Sequence, residues 1–263
     1  MGDHWGEKPK KRRNPLLSIL MGIGLTVVAY GVSKVVFTAA FSPPRPQSEE
    51  EWRAFFREKP MFEALAEFDP VGLQEMEDVF VQAALEGKSL EEFGDLGFQS
   101  SETGRRFAEH YALRATDERL VAFQEAALGV IHSLEASPQH CYNIFIARDA
   151  TSTGLSEADR VKLEYYEAAE KIVQAITALK DGAATDPVRI ENPLAAEEEL
   201  QEIFATAART YPRAWENMTQ GIPPADSVEM AEMCRISAMV SELTLASANA
   251  ADIFRIAMYP LPD

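Results

Sequence analysis

The run LLSILMGIGLTVVAYGVS, Leu16 to Ser33, holds eighteen residues and no charge, and Lys8, Lys10, Lys11, Arg12 and Arg13 stand just before it. A helix needs roughly 20 apolar residues to cross a hydrocarbon core. Lys34 interrupts the run and Val35–Phe41 is apolar again, so a slightly tilted span reaches about Phe37 with the Lys34 ammonium drawn toward the interface. The basic flank predicts that the N-terminus stays in the cytoplasm and that everything after the span is exported. Three readings compete. A retained signal anchor is preferred, because the apolar core of a cleavable signal is usually shorter. Thr38-Ala39-Ala40 would serve as a small-residue cleavage site, which keeps a cleaved signal open. A buried soluble helix fits worst, since such helices carry a polar face. Arg12-Arg13 before Leu16-Leu17 faintly resembles a twin-arginine signal, but Pro15 falls inside that window and the pair is read as topology charge.

Working outward, four segments follow: a basic cytoplasmic N-terminus at 1–14, a transmembrane anchor at 15–37, a proline-rich spacer at 38–48 and an exported helical body at 49–263. Ser18, Gly22 and Thr26 recur every four residues along one side of the span. Small residues so spaced let two helices approach closely in lipid, which predicts lateral self-association. Pro43, Pro44 and Pro46 favour extended polyproline II, a semi-rigid spacer that lifts the body off the bilayer.

The chain carries 25 Lys+Arg against 42 Asp+Glu, net −17. Five of the bases and two of the acids fall within residues 1–14, and Lys34 is a sixth base, so from Phe41 onward 19 bases face 40 acids, net −21. Such a body disfavours nucleic acid and broad adhesion to anionic lipid, both of which demand positive surface. It suits solubility and attraction to a basic protein partner.

Within the body, helix signals dominate and strand alternation is nearly absent. Ser48 precedes Glu49-Glu50-Glu51, a cap followed by the charge that favours a helix N-terminus. Asp69-Pro70, Ser137-Pro138 and Asn192-Pro193 each pair a cap with proline at the first helical position. Thr116 caps a helix whose stripe is Leu120, Phe123, Ala127, Val130 and Leu134. Ser156 opens a long helix stopped by Gly182, and Gly182–Asn192 reads as a loop. Leu200, Ile203, Phe204, Ala207 and Tyr211 mark the next stripe. Gly221–Ala225, with Pro223-Pro224, breaks the chain, and Asp226 caps a last helix striped from Met230 through Val240 and Ala251 to Met258. The expectation is an all-α bundle of about seven to nine helices.

The two cysteines, Cys141 and Cys234, both sit on apolar helix faces. An even count in an exported chain favours a disulfide between them. Two buried free thiols are the alternative, and a reactive or metal-binding thiol the least favoured.

No catalytic grammar stands out. There is no His-Glu-x-x-His, no Gly-x-Ser-x-Gly and no Cys-x-x-Cys-His. Gly87-Lys88-Ser89 resembles the end of a phosphate loop, but Gln82 occupies the position of the required first glycine. His140-Cys141 with Met230, Met233 and Cys234 would suit soft copper, although the methionines follow the spacing of core filling. No metal site or cofactor is therefore expected. His110, with Glu109 beside it, is the best single catalytic candidate, because it borders an apolar face near Tyr111; a satisfied polar residue is the commoner explanation of that pattern. Arg148-Asp149, leading into a Thr- and Ser-rich loop, is a candidate interaction site, as is Trp52 with Phe55 and Phe56 near the spacer. Ordinary turn chemistry for the first and core packing for the second are the preferred explanations. Asn217-Met218-Thr219 matches a glycosylation acceptor, a short pattern expected by chance.

These features point to a single-pass protein of a bacterial inner membrane, whose body on the far side acts as a binding or assembly module. The rival from another class is an envelope hydrolase using Asp or Glu as general acid and base, and the third reading is a metal or haem carrier.

Overall fold

The computed structural model describes residues 48–87, 101–142, 146 and 163–258. The anchor and spacer, including Leu16, Gly22 and Ser33, lie outside the described residues, as do Arg148 and Asp149. Among the described residues the chain is helical throughout: α1 (Glu49–Arg57), α2 (Pro60–Phe68), α3 (Pro70–Leu85), α4 (Ser101–Ala112), α5 (Asp117–Ser133), α6 (Pro138–Tyr142), α7 (Leu163–Ala178), α8 (Pro193–Thr210), α9 (Pro212–Gln220), α10 (Ser227–Ala246) and α11 (Ala250–Met258). No helix there is long and apolar enough to cross a membrane.

The starts obey local capping chemistry. Ser48, Asp69, Thr116, Asn192 and Asp226 each accept a backbone N–H from the first turn of the helix they precede. Such a bond satisfies one of the donors that every helix N-terminus leaves orphaned. Pro60, Pro70, Pro193 and Pro212 follow at first positions, where the missing N–H costs nothing.

Among the described residues there are more helical segments than the seven to nine expected, because α2 starts afresh at Pro60 and two predicted helices are divided. Pro212 ends the stripe of α8 and starts α9. The last predicted helix breaks at Ser247, whose backbone turns extended, and resumes as α11. Glu199 of α8 explains the break. Its carboxylate accepts from the Ser247 hydroxyl and from Asn249 Nδ2 at 3.1 Å, while Ser247 Oγ accepts the Asn249 N–H at 2.9 Å. Those three bonds reward a turn that helical continuation would forbid.

One core runs from end to end. Near the beginning of the body it is aromatic: Phe56 stacks on Phe62 at 5.2 Å between ring centroids, and Trp52 and Phe80 lie against Phe56. These rings pin α1 onto α2 and α3. α5 is the central strut, packed against α7, α10 and α11. On its inner face Leu120, Phe123, Ala127, Val130 and Leu134 are all buried, as the stripe predicts. α10 uses small inward residues, Ser237, Ala238, Ser241 and Thr244, and the hydroxyls of Ser237, Ser241 and Thr244 donate back to their own helix carbonyls. That satisfies buried oxygens without a partner and lets α5 and α8 come close.

Cys141 on α6 and Cys234 on α10 are paired, with Cα atoms 6.0 Å apart and both side chains buried. The bridge ties the short α6 to the long α10 across 93 residues of sequence. Among the described residues Arg255 is the largest of the fully buried side chains. Its guanidinium donates to the Ala115 carbonyl at 2.9 Å and pairs with Asp117 at 2.7 Å and Asp252 at 3.2 Å. It thereby fastens α11 to the joint between α4 and α5. Where α3 meets α4, only glycine fits at position 72: a Cβ would stand 2.4 Å from Asp69 Oδ2 and from Thr103 Oγ1.

Candidate functional site

His110 lies near the end of α4, half-buried, its ring 5.2 Å from Phe68 and 4.9 Å from Tyr111 between centroids. Phe107 on the previous turn completes the aromatic surround. Burial, and secondarily the nearby Arg114 guanidinium, push the imidazole pKa below its ordinary value of 6.5. His110 is therefore a neutral ring at pH 7. Arg114 reaches back to the His110 carbonyl at 2.8 Å and across to the Thr185 carbonyl at 3.2 Å, which docks the 182–192 loop on the α4–α5 joint. Glu109 is the preceding residue on the helix, and side chains one residue apart point about 100° away from each other, so the helix does not set the pair up as an acid and a base on one substrate. No hydrogen bond reaches the His110 ring among the described residues. The arrangement is a wedge of rings around a neutral imidazole, suited to packing.

Trp52 is 4% exposed, with Phe55 and Phe56 against it at 6.1 and 5.8 Å. A ring so covered offers no surface for a partner, so in this arrangement its area goes to the core. His132 is exposed at the end of α5. Its Nδ1 lies 2.8 Å from Glu135 and its Nε2 3.2 Å from Glu242, which links α5 to α10. Asn217 does not present a free amide: its Nδ2 donates at 2.6 Å to Glu229, a buried carboxylate that also accepts the Ala225 N–H at 2.5 Å and Arg213 Nε at 3.2 Å. That knot braces the Pro223-Pro224 turn.

Glu77 is a further buried carboxylate. Its Oε2 faces Arg57 at 3.4 Å and Arg53 at 3.6 Å, while Arg53 also holds Glu49 and Asp78. The cluster straps α1 to α3. With the sulfurs joined to each other, Cys141 and Cys234 have no thiolate to offer a metal. Among the described residues no group of three His, Cys, Asp or Glu side chains is placed to hold a metal ion.

The feature that sequence reading missed is an open groove of about 760 Å³ along the outer side of α5 and α7. Its floor is made of small residues, Ala122, Ala126 and Gly129 from α5 with Ala168, Ala175 and Ala178 from α7. Glu125, Glu167, Lys171 and Arg119 stand along its walls. The signal was present as alanines and a glycine spaced three and four apart on the second face of α5, but the strong inner stripe drew the reading. His132 and Ser133 at the end of α5 and Gln174 of α7 also line it.

No protein-family model matches the chain, and no curated protein and no solved structure matches it.

Proposed function

We propose that this chain is a membrane-anchored, exported helical protein that works as a binding or assembly module in a bacterial cell envelope. Its N-terminus lies in the cytoplasm, one span crosses the inner membrane, and the body stands on the far side. The observation that carries the reading is the buried Cys141–Cys234 pair joining α6 to α10. Cytosolic thiols are kept reduced, whereas exported chains keep such bridges. The bridge agrees in direction with the basic cluster and uncharged run before Lys34. The binding half of the reading is supported by how the polar groups are used. Buried carboxylates at Glu77 and Glu229, the half-buried Glu199 and the buried Arg255 all hold helices together. Those four side chains are thus structural, and the acidic exterior remains for recognition.

The test is topology together with partner capture. In spheroplasts of cells making the full chain with a C-terminal tag, external protease should remove the tag, and the denatured chain should run faster without reductant than with it. Crosslinking through the tag should recover one dominant, salt-sensitive partner. A protected tag with reduced cysteines would overturn the envelope placement, and recovery of abundant bystanders alone would overturn the binding role.

A further inference from the structure

The groove along α5 and α7 has two properties that the fold itself does not require. The first concerns Gly129. A glycine inside a helix costs about 1 kcal/mol against alanine. A Cβ built at Gly129 meets nothing within 4 Å, so no contact in the described chain demands its absence. A backbone approaching from outside would demand it, because helices close to about 8 Å only over small residues.

The second property is charge. Acids outnumber bases 42 to 25 along the chain, and a second copy is repelled from most of such a surface. In the groove the signs balance. Glu125 and Glu167 stand with Lys171 and Arg119, and the first three make no ion pair among the described residues. Arg119 reaches only Asp181, at 3.8 Å, just past the end of α7, which also shows that the two helices run antiparallel. A uniformly basic partner would meet Lys171 and Arg119. A uniformly acidic one would meet Glu125 and Glu167. A surface carrying both signs side by side complements itself under a twofold axis, where each contact occurs twice.

We propose that the α5–α7 groove is a self-association surface, occupied by the α5–α7 face of a second copy of this chain, with Glu125 of each copy against Lys171 of the other. The proposal does not rest on the envelope reading. It is nonetheless favoured by the Ser18, Gly22 and Thr26 spacing, since an anchor that pairs in lipid would hold two bodies at high effective concentration.

The test uses the full chain with a photoreactive benzophenone amino acid in place of Ala122, which is exposed at the groove, illuminated in intact cells. The expected product is an adduct of two copies of the 29.2 kDa chain and nothing else. K171E sets a like charge against Glu125 and should lower the adduct about fivefold. The double exchange E125K/K171E should restore it. Retention of the reductant-sensitive gel mobility in each variant shows that the body still folds. An adduct to a different protein would assign the groove to another partner and overturn the proposal. So would no adduct in a folded chain, or an adduct indifferent to K171E.

Discussion

At the scale of single residues, titration follows burial. His110 sits among Phe68, Phe107 and Tyr111, and that burial, helped by Arg114, favours its neutral form. The folded pKa lies below the unfolded one, so as pH falls the unfolded chain takes up this proton first. Stability linked to His110 is therefore fully present above about pH 6.5 and is lost as pH falls through the lower folded value. His110→Gln keeps a polar planar group and removes the titration. Urea midpoints measured at pH 7.5 and again below pH 6 should fall further for the wild type than for the variant. Equal falls would place the acid sensitivity elsewhere. The same ring illustrates why a histidine beside an apolar face reads ambiguously: sequence shows the neighbours at one and three residues, whereas Phe68 comes from another helix.

At the scale of elements, the contrast lies between what is local and what is not. Asp69-Pro70, Thr116, Asn192-Pro193 and Asp226 were legible as helix starts because a cap needs only its own first turn. The break at Ser247 was not. The apolar stripe passes straight through it, and Ala251 and Phe254 are buried on either reading. The deciding group is Glu199, 48 residues earlier. The groove stayed hidden for a related reason: only when α7 lies beside α5 do Ala122, Ala126 and Gly129 become a floor. If Glu199 makes the turn, Glu199→Ala should leave Ser247 and Asn249 without their shared acceptor. A loss of about 1–3 kcal/mol is expected, by two hydrogen bonds to a charged group in a half-buried setting. Hydrogen exchange should quicken first around residues 247–250. A uniform change across α10 and α11, or a loss within error, would mean that the break has another cause.

At the scale of the molecule, the question is what keeps an acidic bundle closed. With 42 acids against 25 bases the folded chain repels itself, and compaction must come from the apolar core and from cross-links between distant parts. Three such links are visible. The aromatic cluster binds the early helices, Arg255 ties α11 to the α4–α5 joint, and Cys141–Cys234 joins α6 to α10. The disulfide joins residues 93 apart in sequence. Closing a loop of that size restricts the unfolded chain by about 4–5 kcal/mol in the entropy model. Replacing both cysteines with alanine, so that neither thiol is left to react, should therefore lower the melting temperature by roughly 10–15 °C for a body of this size. Since the repulsion is electrostatic and screened within about 10 Å at 0.1 M salt, part of the loss should be recovered at high ionic strength. Melting curves of the double variant at low and high salt measure both effects. A variant as stable as the wild type would show that the aromatic core and Arg255 alone hold the bundle. A variant whose loss is untouched by salt would show that self-repulsion is not what the bridge opposes.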